Sequence, residues 1–209
     1  MSLPREQSQE SKFQNWHEVS VGISTTTHGM VDYLKDTLTN LHSSIKLGPC
    51  AGLGKCNDNC SIRSWDLSDW CPTCTEWRNQ ILKHHRYNTK EDQIHWSNVN
   101  SSEWPESVNE MVKMYGPYWW KGTPHYTSDL AVSIHILNNC NAFSIPVEVC
   151  QAVRGVRQGR LHINKLEKDK ALKTMIQLLE LPDVTNTRSG NHALKLMILL
   201  TKVPKTTVL

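Results

Sequence analysis

The chain has 209 residues, 38% of them hydrophobic, and a formal net charge of +3, enough for one sizeable core or two small ones. No apolar run approaches the roughly 20 residues of a membrane helix, and Met1 to Ser11 is polar with no signal peptide, so the expectation is a soluble intracellular protein, cytoplasmic or nuclear. The charge is unevenly placed: residues 151–209 hold 11 Lys/Arg against 4 Asp/Glu, residues 1–150 hold 12 against 16, and a basic C-terminal third suits a phosphate backbone, although a solvated helix face is the commoner cause.

All eight tryptophans precede residue 121, which divides the chain into a tail over 1–12, a helical Cys/Trp-rich region over 13–122 and an aliphatic helical region over 123–209. Met30, Leu34, Leu38, Leu41 and Ile45 recur at three- and four-residue steps, which predicts an amphipathic helix stopped by Gly48-Pro49. Cys50 to Trp70 reads as irregular loop, and Thr75 to His85 as a helix with Trp77 and Ile81 inward. After a loop through Asn88 to Asn100, Trp104-Pro105 predicts the first turn of a helix carrying Val108, Met111, Val112 and Tyr115, ended by Gly116-Pro117. Further on, Ser128 or Asp129 is placed to cap a helix with Leu130, Ile134, Leu137 and Cys140, and Pro146 to open one through Val149 and Val153. Leu166 to Leu181 is a strong helical pattern closed by Pro182, with Leu172, Met175, Ile176, Leu178 and Leu179 inward. Ser189 begins a last helix bearing Ala193, Leu196, Met197 and Leu200. With little strand signal and no internal repeat, the predicted fold is an all-α helical bundle.

Five cysteines, Cys50, Cys56, Cys60, Cys71 and Cys74, crowd one stretch, and Cys71-Pro72-Thr73-Cys74 is a tight knuckle of the kind tetrahedral zinc favours. Cys71 and Cys74 present two sulfurs from one turn, and Cys50 with Cys56 supplies the other pair; Cys60, His84 and His85 are alternative ligands. An intracellular setting disfavours disulfides. The loop is poor in aliphatic residues, so a structural Zn2+ would supply the order that packing cannot. A thioredoxin-like knuckle needs a βαβ context that is missing, and catalytic zinc needs an open position and a base. Cys140 and Cys150 occupy apolar helix positions and read as core. Trp119-Trp120 reads either as a stacking platform or as a buried hinge.

The residues from Cys71-Pro72-Thr73-Cys74-Thr75-Glu76-Trp77 to His84-His85, with Ile94-His95-Trp96-Ser97-Asn98 and Trp104-Pro105, resemble the vertebrate chromosome X open reading frame 38 family. The likeness extends to Phe13-Gln14-Asn15-Trp16, Asp129, Leu137-Asn138-Asn139-Cys140 and Phe143, most of the chain. The C-terminal part of that family is similar to the HEPN helical domain, many examples of which are metal-independent endoribonucleases with an Arg, often followed by Asn, and a His four to six residues on. The aligned stretch here holds Arg157, Gln158 and His162, with Gln158 standing where asparagine is usual. The resemblance therefore implies RNA cleavage by attack of a 2′-hydroxyl, His162 transferring protons and Arg157 stabilising the phosphorane charge. Five positions put the pair about 140° apart on an ideal helix, so they converge only where the helix ends between them or in a homodimer. Gly155 and Gly159 suggest a local break or a close helix contact. Arg78 and His84 match the same spacing by chance. The other reading is a non-catalytic zinc-containing helical adaptor that binds protein or nucleic acid.

Overall fold

The computed structural model describes residues 4–56, 60, 70–86, 96, 99–120, 127, 129–157 and 163–202. Among them there are helices and turns and no named strand, only an isolated bridge between His85 and Cys140, so the protein is all-α. The helices are α1 (Pro4–Gly29), α2 (Val31–Leu47), α3 (Pro72–Lys83), α4 (Val108–Val112), α5 (Leu130–Asn139), α6 (Val147–Arg157), α7 (Lys165–Leu179), α8 (Pro182–Thr185) and α9 (Arg188–Lys202), with 3-10 turns at Ser101–Glu103 and Lys113–Tyr115. The chain forms two compact units, Met1–Tyr33 with Ile145–Leu209, and Leu34–Ser144. This division differs from the boundary near residue 122 that the tryptophans suggested.

In the first unit α1 packs on α7 and α9, α6 on α7, and α8 on α9. Of the five inward residues expected of α7, Leu172, Met175, Leu178 and Leu179 are buried and Ile176 is half-buried; each fully buried one contributes about 1.5–3 kcal/mol by leaving water. Residues 4–12, expected as a tail, are the first turns of α1. Its inward stripe is Asn15, Val19, Gly22, Thr26 and Gly29, small and polar residues at helical spacing that carry no hydrophobic period. The buried hydroxyls remain satisfied because Thr26 and Thr27 donate to the carbonyls of Gly22 and Ile23, each at 2.8 Å. Small side chains let helices approach: a Cβ on Gly29 would stand 2.5 Å from the Ala193 Cβ on α9. Lys168, buried at the start of α7, has its ammonium 2.6 Å from the Glu18 carboxylate of α1.

Several boundaries differ from expectation for local reasons. Pro182 does not merely close α7; it opens the short α8, where its missing N–H costs nothing in a first turn. Leu196 was expected inward but is 43% exposed, and Gly190, Ala193 and Met197 form the buried face of α9. Gly155 lies inside α6 with nothing within 4 Å of the place a Cβ would take, so neither a break nor a close helix contact explains it.

In the second unit Leu34, Leu38, Leu41 and Ile45 of α2 are buried as their spacing demands. α4 starts from Ser107, whose hydroxyl accepts the Glu110 N–H, leaving Pro105 outside the helix. Asp129 caps α5, its Oδ1 accepting the Ala131 N–H at 2.7 Å. The C-terminal ends of α3 and α5 are tied by Arg86 N–H to the Asn139 carbonyl at 2.7 Å and Asn141 N–H to the His84 carbonyl at 2.9 Å. The Trp119-Trp120 pair divides between its two readings. Trp120 is buried over Gly116, where a Cβ would come 2.5 Å from its ring, while Trp119 is 45% exposed.

Candidate metal centre

α3 begins at the knuckle. Pro72 takes the first helical position, and the Cys71 Sγ acts as the cap, accepting the Cys74 N–H at 3.4 Å. This places Cys71 and Cys74 at the positive end of a helix, where thiolate charge is favoured. Cys56 and Cys60 precede α3 in sequence, and neither lies in a helix or strand. The sulfurs of Cys56, Cys60, Cys71 and Cys74 all lie within 4.8 Å of one another, the one such grouping among the described residues. Cys56 and Cys71 have their sulfurs 3.7 Å apart, against the edge of about 3.8 Å for a tetrahedron with 2.3 Å zinc–sulfur bonds.

The surroundings fix this quartet. The Cys71 N–H donates to the Cys60 Sγ at 3.2 Å, and the buried Ser101 hydroxyl donates to the Cys60 carbonyl at 2.6 Å. Trp70 packs on the cysteines and meets Trp96 edge-on and Trp104 at a tilt, both at 5.9 Å between ring centroids. The Arg78 guanidinium lies 5.4 Å over the Trp96 ring. From α2, His42 bonds the Trp104 carbonyl through Nε2 at 2.7 Å and packs on Trp77.

Without a cation the four thiols are electrostatically unequal. Burial pushes Cys60 up to about 11 and raises Cys74 further. Burial also acts to raise Cys56, but hydrogen bonds from the Cys60 backbone and from the Cys60, Cys74 and Cys71 side chains outweigh it and lower its pKa. A cation shared by the site would favour the thiolate form of all four sulfurs. Four cysteines at these distances are a donor set that could bind a metal ion, with every position of a tetrahedron filled by protein.

The expected ligands are therefore partly rearranged. Cys56, Cys71 and Cys74 come together, and Cys60, an alternative, stands in the place expected for Cys50. Cys50 is buried elsewhere, and burial drives its thiol up to about 11. Neither His84 nor His85 belongs to the quartet. The His84 Nδ1 is 3.1 Å from Asn141 Oδ1, and buried His85 stacks on Tyr115. The signal that identifies Cys60 is Cys56-x3-Cys60, within the two to four residues usual between paired ligands, whereas Cys50-x5-Cys56 exceeds it. Cys140 and Cys150 are buried core thiols as expected. Of the Arg157, Gln158 and His162 set, Arg157 is the last residue of α6, while its side chain, Gln158 and His162 lie outside the described residues.

Fold and site together define a class: an all-helical protein with a four-cysteine centre set in a tryptophan-rich unit. Residues 8–187 match the family described as "Domain of unknown function (DUF4559)", and the chain belongs to that family. It is 21% identical over 164 residues to the mouse protein titled "Uncharacterized protein CXorf38 homolog", a match over 75% of this chain and 50% of the relative. The chain thus spans about half the length of that curated relative. No solved structure matches it.

Proposed function

We propose that the protein is a zinc-stapled helical adaptor, non-catalytic at its cysteine centre, that binds nucleic acid. The observation that carries this reading is the closed quartet of Cys56, Cys60, Cys71 and Cys74. A catalytic zinc keeps a position for water or substrate, and a site with four thiolate donors has none. Zinc here ties Cys56 and Cys60, from a stretch of sequence with few aliphatic side chains, to Cys71 and Cys74 at the start of α3, beside Trp70.

The endoribonuclease reading rests on the HEPN resemblance, with Arg157, Gln158 and His162 acting in a homodimer. One pair of measurements separates the two. Metal analysis of the purified chain gives one zinc per molecule on the adaptor reading; a metal-free yet fully folded protein sinks the staple. Incubation with labelled RNA in EDTA gives no products beyond those of the His162→Ala variant. EDTA-resistant cleavage that disappears in His162→Ala and Arg157→Ala would overturn the adaptor reading in favour of the enzyme.

A further inference from the structure

A cleft of about 1000 Å3 opens beside the start of α9, wholly within the first unit. Every residue lining it is polar or charged. Arg188, His192 and Lys195 line it from α9, at i, i+4 and i+7 on one helix face, a span of roughly 10 Å. All three are exposed. None has a hydrogen-bond or ion-pair partner among the described residues.

The other polar groups at this corner are already engaged. Asp32 accepts the Ser189 N–H through Oδ2 at 2.9 Å, and its own N–H donates to the Ser189 hydroxyl at 3.2 Å. The Gly190 N–H donates to the Thr187 hydroxyl at 3.0 Å. The Ser189, Gly190 and Asn191 amides at the start of α9 are thus satisfied internally, and the single carboxylate in the cleft is held against the first of them. What is left free is a row of two cations, Arg188 and Lys195, with the His192 imidazole between them.

We infer that this cleft binds successive phosphates of a single-stranded nucleic acid through Arg188, His192 and Lys195. The inference rests on the adaptor reading and names its ligand. A guanidinium grips phosphate oxygens in pairs, and the lysine and histidine add donors further along the helix. A row of roughly 10 Å is longer than one phosphate group and accommodates neighbouring ones. With no Phe, Tyr, Trp or aliphatic residue in the lining, the His192 imidazole is the one ring a base meets there, and contact to the phosphates dominates. It reads backbone charge without sequence preference. The surplus of 11 Lys/Arg over 4 Asp/Glu in residues 151–209 adds an attractive field of the same sign.

The test is fluorescence anisotropy of a labelled oligouridylate of about 12 nucleotides, titrated with the zinc-loaded full chain at several salt concentrations. In the Arg188→Ala/His192→Ala/Lys195→Ala variant the affinity at low salt falls at least about tenfold, and the dependence of log K on log salt becomes shallower by about 1.4, roughly 0.7 for each permanent cation on a single strand. A charge-matched control, Lys170→Ala/Lys173→Ala on the exposed face of α7, stays within about twofold of wild type. Since all the substituted side chains are exposed, circular dichroism and zinc content remain unchanged. Equal loss in the control, an unaltered salt slope in the triple variant, or no binding by wild type overturns the assignment. Inorganic triphosphate bound as tightly as the oligonucleotide also overturns it, in favour of a small polyphosphate. Failure here with one zinc still bound leaves the staple standing, whereas loss of zinc with intact RNA binding removes the staple alone.

Discussion

Replacing Cys60 and Cys50 by serine, one at a time, gives opposite outcomes for the metal. Cys60 contributes one of four sulfurs within 4.8 Å, and structural zinc in small sites is bound by about 10–16 kcal/mol. Divided equally, each thiolate accounts for about 2.5–4 kcal/mol, so Cys60→Ser weakens zinc by about 10²–10³-fold. Cys50 lies outside the quartet, so Cys50→Ser keeps one zinc per chain. Its cost is the burial of a hydroxyl in place of a thiol, about 1–3 kcal/mol of stability. The assay is competition with a chromogenic chelator, alongside urea unfolding of both variants. Stoichiometric zinc of unchanged affinity in Cys60→Ser, or zinc lost from a folded Cys50→Ser, refutes the ligand assignment.

Chelation of the wild-type protein selectively releases the Trp70, Trp96 and Trp104 cluster, because Trp70 rests on the cysteines; a red shift of tryptophan emission that reverses on adding zinc checks this. Gly29→Leu destabilises the first unit by about 1–3 kcal/mol through overpacking, because even a Cβ would stand 2.5 Å from Ala193. By contrast Gly155→Ala stabilises it by about 0.4–1 kcal/mol, since that position is helical with nothing within 4 Å; thermal melts of the two variants must shift in opposite directions. Burial lowers the pKa of His85 below 6.5, and burial lowers that of His42 too, against the Trp104 carbonyl bond. The unfolded chain therefore takes up protons first, so stability is fully present above about pH 6.5 and is lost as pH falls through the lower folded values. Melts between pH 7 and 5, compared with His85→Phe over the range where zinc content holds constant, show a weaker acid loss in the variant.

Where burial follows apolar spacing the fold was legible: Leu34 to Ile45 on α2, Leu172 to Leu179 on α7, and the Asp129 cap are where the sequence pattern puts them, while Met30 is buried just before α2 begins. α1 was invisible because its inward stripe, Asn15, Val19, Gly22, Thr26 and Gly29, holds a single aliphatic residue and depends on small side chains for close approach. Pattern reading detects transfer free energy, and it is blind to helices whose contact depends on small residues. In the four-cysteine cluster, which could hold a metal ion, three of the four members were named from clustering alone. Cys60 was displaced by Cys50 because both precede the knuckle, and only the ligand-pair spacing tells them apart. The Arg157 and His162 pair, whose convergence depends on the backbone between them, was never a matter that spacing decides.

The order of the two units along the chain has a consequence for how the protein is made. Leu34–Ser144 is continuous, whereas the other unit joins Met1–Tyr33 to Ile145–Leu209. As the chain leaves the ribosome, the cysteine-bearing unit is complete while α7 and α9, the partners of α1, are still unsynthesised. On the zinc-staple proposal, metal bound at that stage shortens the effective loop that must close before α1 meets them. Zinc shortage would then lower the yield of the unit that joins Met1–Tyr33 to Ile145–Leu209, although no cysteine of the quartet belongs to it.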